Sequence, residues 1–373
     1  MNTSTQFTSP LAGRSVRGPE SARVWIDAVP YLNFVGSSYL AMQALDELRA
    51  AGREAVELGH AWQQMRSAAY GGSDPVFDAL AEEGARFFGT ETSVFMPTGY
   101  FCGPAVVAGL APAFDAIFID ELAHFSLYDA ALLAACPVHR FAHADASALS
   151  DALRDSAPAS QRPLVLTDGI FATTGRLPPL AEYARLAAAA GGQLFVDESH
   201  AYGVLGPNGR GAAEHCGVLD ALHAGSLGKG LCAQGGLLPC SHQFAERVRS
   251  LAPLRGAGAG APVSAMVAAA GMRYARAHPE RREHLHSISQ ALKTGLRKLG
   301  LEIIDTPAPI TSFCVGRKAD MQSLQRLLFD DGINLVISSY IGSGPEGMIR
   351  CATFADHSID DINQLLAALQ RRL

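Results

Sequence analysis

Lys229 is set in Gly225-Ser-Leu-Gly-Lys-Gly-Leu-Cys-Ala-Gln-Gly-Gly236, five glycines within twelve residues. Glycines lack a Cβ and let backbone and a bulky ligand approach closely. A lysine in such a pocket sheds its proton and becomes an amine nucleophile able to form a Schiff base. Taken alone, the segment equally suits a surface lysine in a glycine loop. It is not a phosphate-binding P-loop, because His223 stands where the first glycine of G-x-x-x-x-G-K-[ST] belongs and Gly230 follows Lys229.

A second segment, Leu194-Phe-Val-Asp-Glu-Ser-His-Ala-Tyr-Gly-Val-Leu-Gly-Pro-Asn-Gly-Arg-Gly211, is an apolar run that ends in Asp197 and reaches His200 three residues later. An acid at a strand end either caps the following turn or binds a cation or a protonated heterocycle. Asp197 and Lys229 lie 32 residues apart, room for one turn, one helix and one strand, so both can reach one crevice. A pyridoxal phosphate (PLP) enzyme needs this pair: a lysine for the aldehyde, and a carboxylate that keeps the pyridinium nitrogen protonated so that the ring stores electrons.

The elements that must position these residues are legible as alternating patterns. Ala116–Asp120, Pro163–Asp168, Gln193–Asp197 and the Leu222–Ser226 region are short apolar runs expected as buried strands, and Leu180–Ala190 as a helix. Strands alternating with helices imply an α/β fold with a mostly parallel sheet covered on both faces. Three strands end in acids, Asp120, Asp168 and Asp197, at the carboxyl ends where open α/β sheets place ligands. The stretch from Leu254 to Pro262 reads as a flexible glycine-alanine loop, followed by a helical pattern from about Val263 to Leu299 broken near Pro279. Beyond it, strands are expected at Leu301–Ile304, Ile310–Gly316, Ile333–Ile337 and Gly347–Ala352, and helices at Met321–Asp330 and Ile359–Arg371. Residues 1 to about 22 read as a loose arm whose order must come from docking. The expected organisation is an arm and small-domain segment over 1–50, a large domain over 51–255, and a smaller C-terminal α/β domain over 256–373.

Composition narrows the function classes. The 373 residues carry 30 basic and 36 acidic side chains, net −6, which leaves no basic surplus for a nucleic-acid backbone. The seven cysteines are odd in number, scattered and never spaced as CxxC, so they read as free thiols of a reducing cytoplasm, with no metal site. No segment offers a signal-peptide h-region or about 18 uninterrupted apolar residues, which disfavours export and membrane spanning.

From about Leu32 to the C-terminus the chain resembles the α-oxoamine synthases, a family of fold-type I PLP enzymes, with the family's motifs in order. Val196-Asp-Glu-Ser-His-Ala-Tyr-Gly-Val-Leu-Gly-Pro-Asn-Gly-Arg-Gly211 is similar to the family's VDEAHGTGVLGPNGRG, and Ser226-Leu-Gly-Lys229 to its T-[FL]-[SG]-K lysine motif. The resemblance implies a PLP-dependent transferase of fold type I. It assigns Lys229 to the Schiff base and to removal of the α-proton, Asp197 to the pyridinium nitrogen, His200 to the phenolic oxygen and His124 to the ring face. Thr98-Gly-Tyr-Phe101 matches the family's [ST]-G-[FY] turn, which assigns the backbone of Gly99 and Tyr100 to the phosphate, with Ser226 adding a hydroxyl. Asp168, in Leu166-Thr-Asp-Gly-Ile-Phe171, matches an acid near the histidine and cofactor. Arg350 corresponds to the arginine that grips the substrate carboxylate, and Ser37 stands where members carry an asparagine that helps hold the substrate.

The implied reaction is the decarboxylative condensation of a small amino acid with an acyl thioester, of coenzyme A or a carrier protein, giving an α-amino ketone for a biosynthetic pathway. An aminotransferase, racemase or carbon–carbon lyase on the same cofactor is the alternative, and a non-catalytic partner subunit a third reading. Tyr70-Gly-Gly-Ser73 and Phe87-Phe-Gly-Thr-Glu91 resemble the segments that family members exchange across a homodimer interface. The chain departs from the pattern at Ser37, at Ala172, where a serine is common, and at the glycine-alanine stretch 256–262, where a Ser-Thr-x-x-Pro-Pro segment is expected.

Overall fold

The computed structural model describes residues 9–59, 75–156, 162–256 and 260–373. They fall into two units: residues 42–172 with 176–282, and a smaller one of residues 1–41, 173–175 and 283–373.

The larger unit is built on a seven-stranded sheet. Its order is Thr92–Met96, Gly236–Cys240, Leu222–Ser226, Gln193–Asp197, Pro163–Asp168, Ala116–Asp120 and Val138–Phe141. Gly236–Cys240 runs antiparallel to both neighbours, and every other pairing is parallel. Continuous apolar runs such as Ala116–Asp120 and Pro163–Asp168 are buried along their whole length, as strands covered on both faces must be. On one face Ile117, Ile119, Leu164, Leu166, Phe195 and Leu238 share a core with the helices Cys102–Leu110, Phe125–Leu133 and His242–Ser250. Helix Leu180–Ala189 packs on Pro163–Asp168 and Gln193–Asp197, with Leu180 and Tyr183 fully buried. Each such large apolar side chain contributes roughly 1.5–3 kcal/mol by leaving water.

Helix Pro262–Ala277 packs on Asp46–Glu57 and Pro75–Phe88. Its alanine-rich face, Ala265, Ala268 and Ala269, is buried, and at Gly271 a Cβ would come within 2.7 Å of the Leu231 carbonyl. This helix therefore abuts the backbone just beyond Lys229. The same packing goes with its place in the larger unit, whose residues run to 282.

In the smaller unit Val16–Arg17, Arg23–Ile26, Val29–Asn33 and Ile333–Asn334 form one sheet, and Ile310–Phe313, Met348–Ala352 and Val336–Ser338 another. Leu32, Phe34, Leu292, Phe313, Leu328, Ile349 and Leu365 share its core. Lys293, fully buried, donates to Ser289 Oγ at 3.1 Å, to the Thr306 carbonyl at 2.7 Å and to the Ala308 carbonyl.

Four expectations need correction. Residues 301–304 form no strand, because their apolar run finds core partners for Leu301 and Ile303 without a ladder. Ile333–Ile337 is two short strands in different sheets. The described part of the arm is not loose, since Val16–Arg17 pairs with Arg23–Ile26 and Ala22 is buried. Part of the supposed glycine-alanine loop is the helix Ala252–Gly256; residues 257–259 lie outside the described residues. The break near Pro279 is real, with helices Pro262–Ala277 and Pro279–Lys298 on either side. All seven cysteines are free thiols. Among the described residues, no helix is long and apolar enough to cross a membrane.

Candidate active site

Parallel strands deliver their carboxyl ends to one edge of the sheet, and there the larger unit holds a cavity. Lys229, Asp197, His200, His124, Asp168, Gly99, Tyr100 and Ser226 all line it, together with Thr98, Ser126 and Ser199. Arg350 and Ser37 belong to the smaller unit. Of the three strand-terminal acids, Asp120 does not line the cavity: its carboxylate accepts from the backbone of Leu122 and Ala144 and pairs with His143, a turn cap.

Asp197 ends its strand inside the protein, 5 % exposed. Its Oδ1 accepts the Ser199 N–H at 2.8 Å, a turn that fixes the carboxylate's rotation. Asp168, its neighbour across the ladder, is also buried, and burial foremost, with the Asp197 charge second, pushes its carboxyl well above the usual range. A buried pair of acids that close cannot both ionise cheaply, and burial favours the protonated form of Asp168.

Asp168 Oδ2 also accepts the backbone N–H of His124 at 2.8 Å. His124 caps helix Phe125–Leu133: its Nδ1 accepts the Ser126 N–H at 3.2 Å and meets Ser126 Oγ at 2.8 Å. That assigns the proton of the neutral ring to Nε2. Burial lowers the His124 pKa, and Asp197 opposes the shift, so the ring is neutral and offers an uncharged aromatic face. Tyr100 stands edge-on to it at 5.9 Å and donates its hydroxyl to Asp129.

The turn Gly99–Phe101 leads into helix Cys102–Leu110, and Thr98 Oγ1 caps it from the front. Backbone N–H groups at such a start, with the helix dipole behind them, suit an anion. Gly99 has no room for a side chain, since a Cβ would lie 2.6 Å from Ser226 Cα; turn and strand end touch backbone to backbone. Ser226 Oγ accepts the Gly228 N–H at 3.1 Å. The loop carrying Lys229 closes on itself through Leu227 N–H to the Gly235 carbonyl and Ala233 N–H to the Leu227 carbonyl, both 2.9 Å. Cys232, left-handed at φ 57°, donates its thiol to the Lys229 carbonyl at 3.5 Å and accepts the Met42 N–H at 3.4 Å.

Two contributors escaped the sequence reading. Ser199 Oγ accepts the Ser226 N–H at 2.9 Å, tying the two motif segments together; the signal was its place at the alanine of VDEAHG. Glu198, fully buried, accepts the N–H groups of Ala212 and Ala213, each at 2.7 Å, and so anchors the Gly-Pro-Asn-Gly-Arg-Gly loop to the strand end.

In the smaller unit Ser37 and Arg350 lie in one neighbourhood. Arg350 donates to the Gly36 carbonyl at 3.1 Å and to the Tyr39 hydroxyl at 3.3 Å. Burial pushes that hydroxyl up to about 12, against the pull of Arg350. Tyr70–Ser73 lies outside the described residues, and Phe87 and Phe88 are buried, the latter against Tyr202 with ring centres 4.5 Å apart.

The donor set fits PLP on its own chemistry: N–H groups at a helix start for a phosphate, a buried carboxyl group for a ring nitrogen, an aromatic face for the ring and a lysine for the aldehyde. A mostly parallel seven-stranded sheet with these groups on one cavity defines a transferase of fold type I. The chain belongs to the aminotransferase class I and II family, whose model matches residues 31–369, and within it to the α-oxoamine synthases. It is 34 % identical over 368 residues to 8-amino-7-oxononanoate synthase of Methylococcus capsulatus, covering 95 % of this chain and 92 % of that one. Serine palmitoyltransferase of Sphingomonas wittichii superposes with a TM-score of 0.90 at 25 % identity, covering 99 % and 93 %. A high-resolution structure of SPT with PLP as its internal aldimine matches at a TM-score of 0.90, 24 % identity and coverage of 98 % and 93 %.

Proposed function

We propose that the chain is a PLP-dependent α-oxoamine synthase that condenses a small amino acid with an acyl thioester, releasing carbon dioxide and free thiol and giving an α-amino ketone. The observation that carries this reading is the convergence of Lys229, Asp197, His124 and His200 with the Gly99–Tyr100 turn on one cavity. Kinship with acyl-transferring synthases over nearly the whole chain supports it over an aminotransferase, racemase or lyase.

PLP, when bound, supplies an electron sink for the bonds around the amino acid's α-carbon. Lys229 would hold its aldehyde and, once displaced by the amino acid, take the α-proton at Nζ. Asp197, its carboxylate fixed by the Ser199 N–H, would hold the proton of the ring nitrogen. His124 would cover the ring face, and His200 would meet the phenolic oxygen. The backbone of Gly99 and Tyr100 and the Ser226 hydroxyl would take the phosphate. Arg350 would grip the substrate carboxylate with its planar fork, and Ser37 would add a hydroxyl beside it. A homodimer completes the reading, and consecutive exposed Leu132 and Leu133, 79 % and 71 % accessible, suit burial against a second copy. Seven free thiols suit the cytoplasm.

The test supplies PLP, one small amino acid at a time and an acyl-coenzyme A, and measures free thiol and carbon dioxide. Equal release of both, dependent on the amino acid and lost in Lys229→Ala, is the expected result. Amino-group transfer or racemisation with no thiol released would overturn it in favour of the other chemistries on this cofactor.

A further inference from the structure

Glu20 lies in the stretch that composition marks as a loose arm, yet its carboxylate is built into the turn beside Arg350. Glu20 Oε1 accepts the backbone N–H of Ser37 and, at 3.3 Å, that of Ser38. Its Oε2 accepts the Ser38 hydroxyl at 3.1 Å. Gly36, at φ 136°, has no space for a side chain because the Glu20 carboxylate fills it. The carbonyl of this same Gly36 accepts from Arg350 Nη1, and Tyr39, three residues on, accepts from Nη2. A single half-buried carboxylate therefore sets the shape of residues 36–38, and that shape sets where the guanidinium of Arg350 sits.

We propose that Glu20 is a positioning residue for the substrate-carboxylate anchor, clamping the Gly36–Ser38 turn so that Arg350 and Ser37 are held ready before the amino acid arrives. The inference rests on the reading of Arg350 as that anchor. Two arms of a guanidinium spent on Gly36 and Tyr39 lock its plane, and a locked plane is what bidentate capture of a carboxylate requires. An ionised acceptor suits the task better than a neutral one, because hydrogen bonds to a charged group are about twice as strong as neutral ones. The carboxylate arrives from a segment separated in sequence from the turn, so the clamp also explains why the arm is ordered here.

The test compares Glu20→Gln and Glu20→Ala with Arg350→Ala and the parent chain, all with PLP bound. Backbone amide exchange over residues 36–39 reads the clamp directly, without reference to turnover, and is expected to speed up at Ser37 and Ser38 in Glu20→Ala. Steady-state kinetics is expected to show the amino-acid KM raised about tenfold in Glu20→Ala, with kcat and the acyl-thioester KM within about twofold, and Glu20→Gln in between. Glu20→Gln keeps the side-chain shape and serves where Glu20→Ala fails to fold. Unchanged exchange at Ser37 and Ser38 would overturn the clamp. If Arg350→Ala raises the amino-acid KM and neither Glu20 variant does, the positioning role falls while the anchor stands. If Arg350→Ala leaves that KM unchanged, the anchor reading itself is wrong.

Discussion

Replacing Gly99 by alanine adds one methyl group to a tight backbone contact at the cavity wall. The new Cβ would lie 2.6 Å from Ser226 Cα and closer still to Ser226 Cβ, whereas ordinary contacts begin at 3.4 Å. Relief requires a shift of about 1 Å between the turn and the strand end, and the obstacle is backbone that no rotamer change can move aside. Overpacking of this kind costs about 1–3 kcal/mol. The larger effect is on geometry, because the turn proposed to take the phosphate is displaced from the Ser226 hydroxyl proposed to share it. A donor set misplaced by that distance loses roughly tenfold or more in affinity. PLP affinity measured by absorbance titration, alongside urea unfolding of the cofactor-free protein, separates the two effects. Gly52→Ala, in helix Asp46–Glu57 where a Cβ meets only Val267 Cγ2 at 3.7 Å, is the control and is expected to stabilise by ~0.5–1 kcal/mol. Gly99→Ala binding PLP within about twofold of the parent would refute the close-packing argument.

Three further outcomes follow from the buried polar groups. His357, 1 % exposed and stacked on Phe34 at 4.5 Å, has its pKa pushed down to about 4 by burial, and its Nδ1 accepts the Phe354 N–H. A depressed base is protonated first in the unfolded chain, so stability present above about pH 6.5 declines as pH falls toward 4, by up to ~3 kcal/mol. His357→Asn, which keeps an acceptor, is expected to flatten the melting temperature across that window; an equally steep profile would count against the assignment. Ser199→Ala removes the acceptor of the Ser226 N–H and is expected to lower the unfolding free energy from urea titration by ~1–3 kcal/mol and weaken PLP binding, with Ser199→Thr recovering part; parity with the parent would show the bond to be idle. Lys293→Met takes the ammonium from two buried carbonyls, leaving Thr306 only the Gln290 amide at 3.3 Å and Ala308 only the Ser289 hydroxyl at 3.1 Å, and is expected to cost about 1–3 kcal/mol in urea unfolding; no loss at all contradicts it.

The strands that carry the cavity's acids were legible because an apolar run ending in Asp needs no tertiary knowledge to be seen. Ala116–Asp120, Pro163–Asp168 and Gln193–Asp197 have the expected bounds, and the eight residues assigned around PLP line one cavity. Gly236–Cys240 was missed, since its run holds Pro239, which argues locally against a strand; here antiparallel partners on both sides hold it in the sheet. Leu301–Ile304 failed the opposite way, an apolar run with a strand's composition and no ladder to join. Ser199 and Glu20 are beyond any local pattern: each acts on a backbone N–H in another segment, and only folding brings the two together.

The antiparallel strand Gly236–Cys240 has a consequence for when the protein becomes competent. It pairs Ser226 with Gly236 on one side and Met96 with Gly236 on the other, so the loop bearing Lys229 is closed at its base only after the chain has docked against a strand formed far earlier in synthesis. A nascent chain that has just made its lysine has not yet made the strand that shapes the loop around it. Under the role proposed for Lys229, a chain that stops short of Gly235 and Gly236 lacks the backbone bonds that close the lysine loop, and so would not yet present that lysine in its finished pocket.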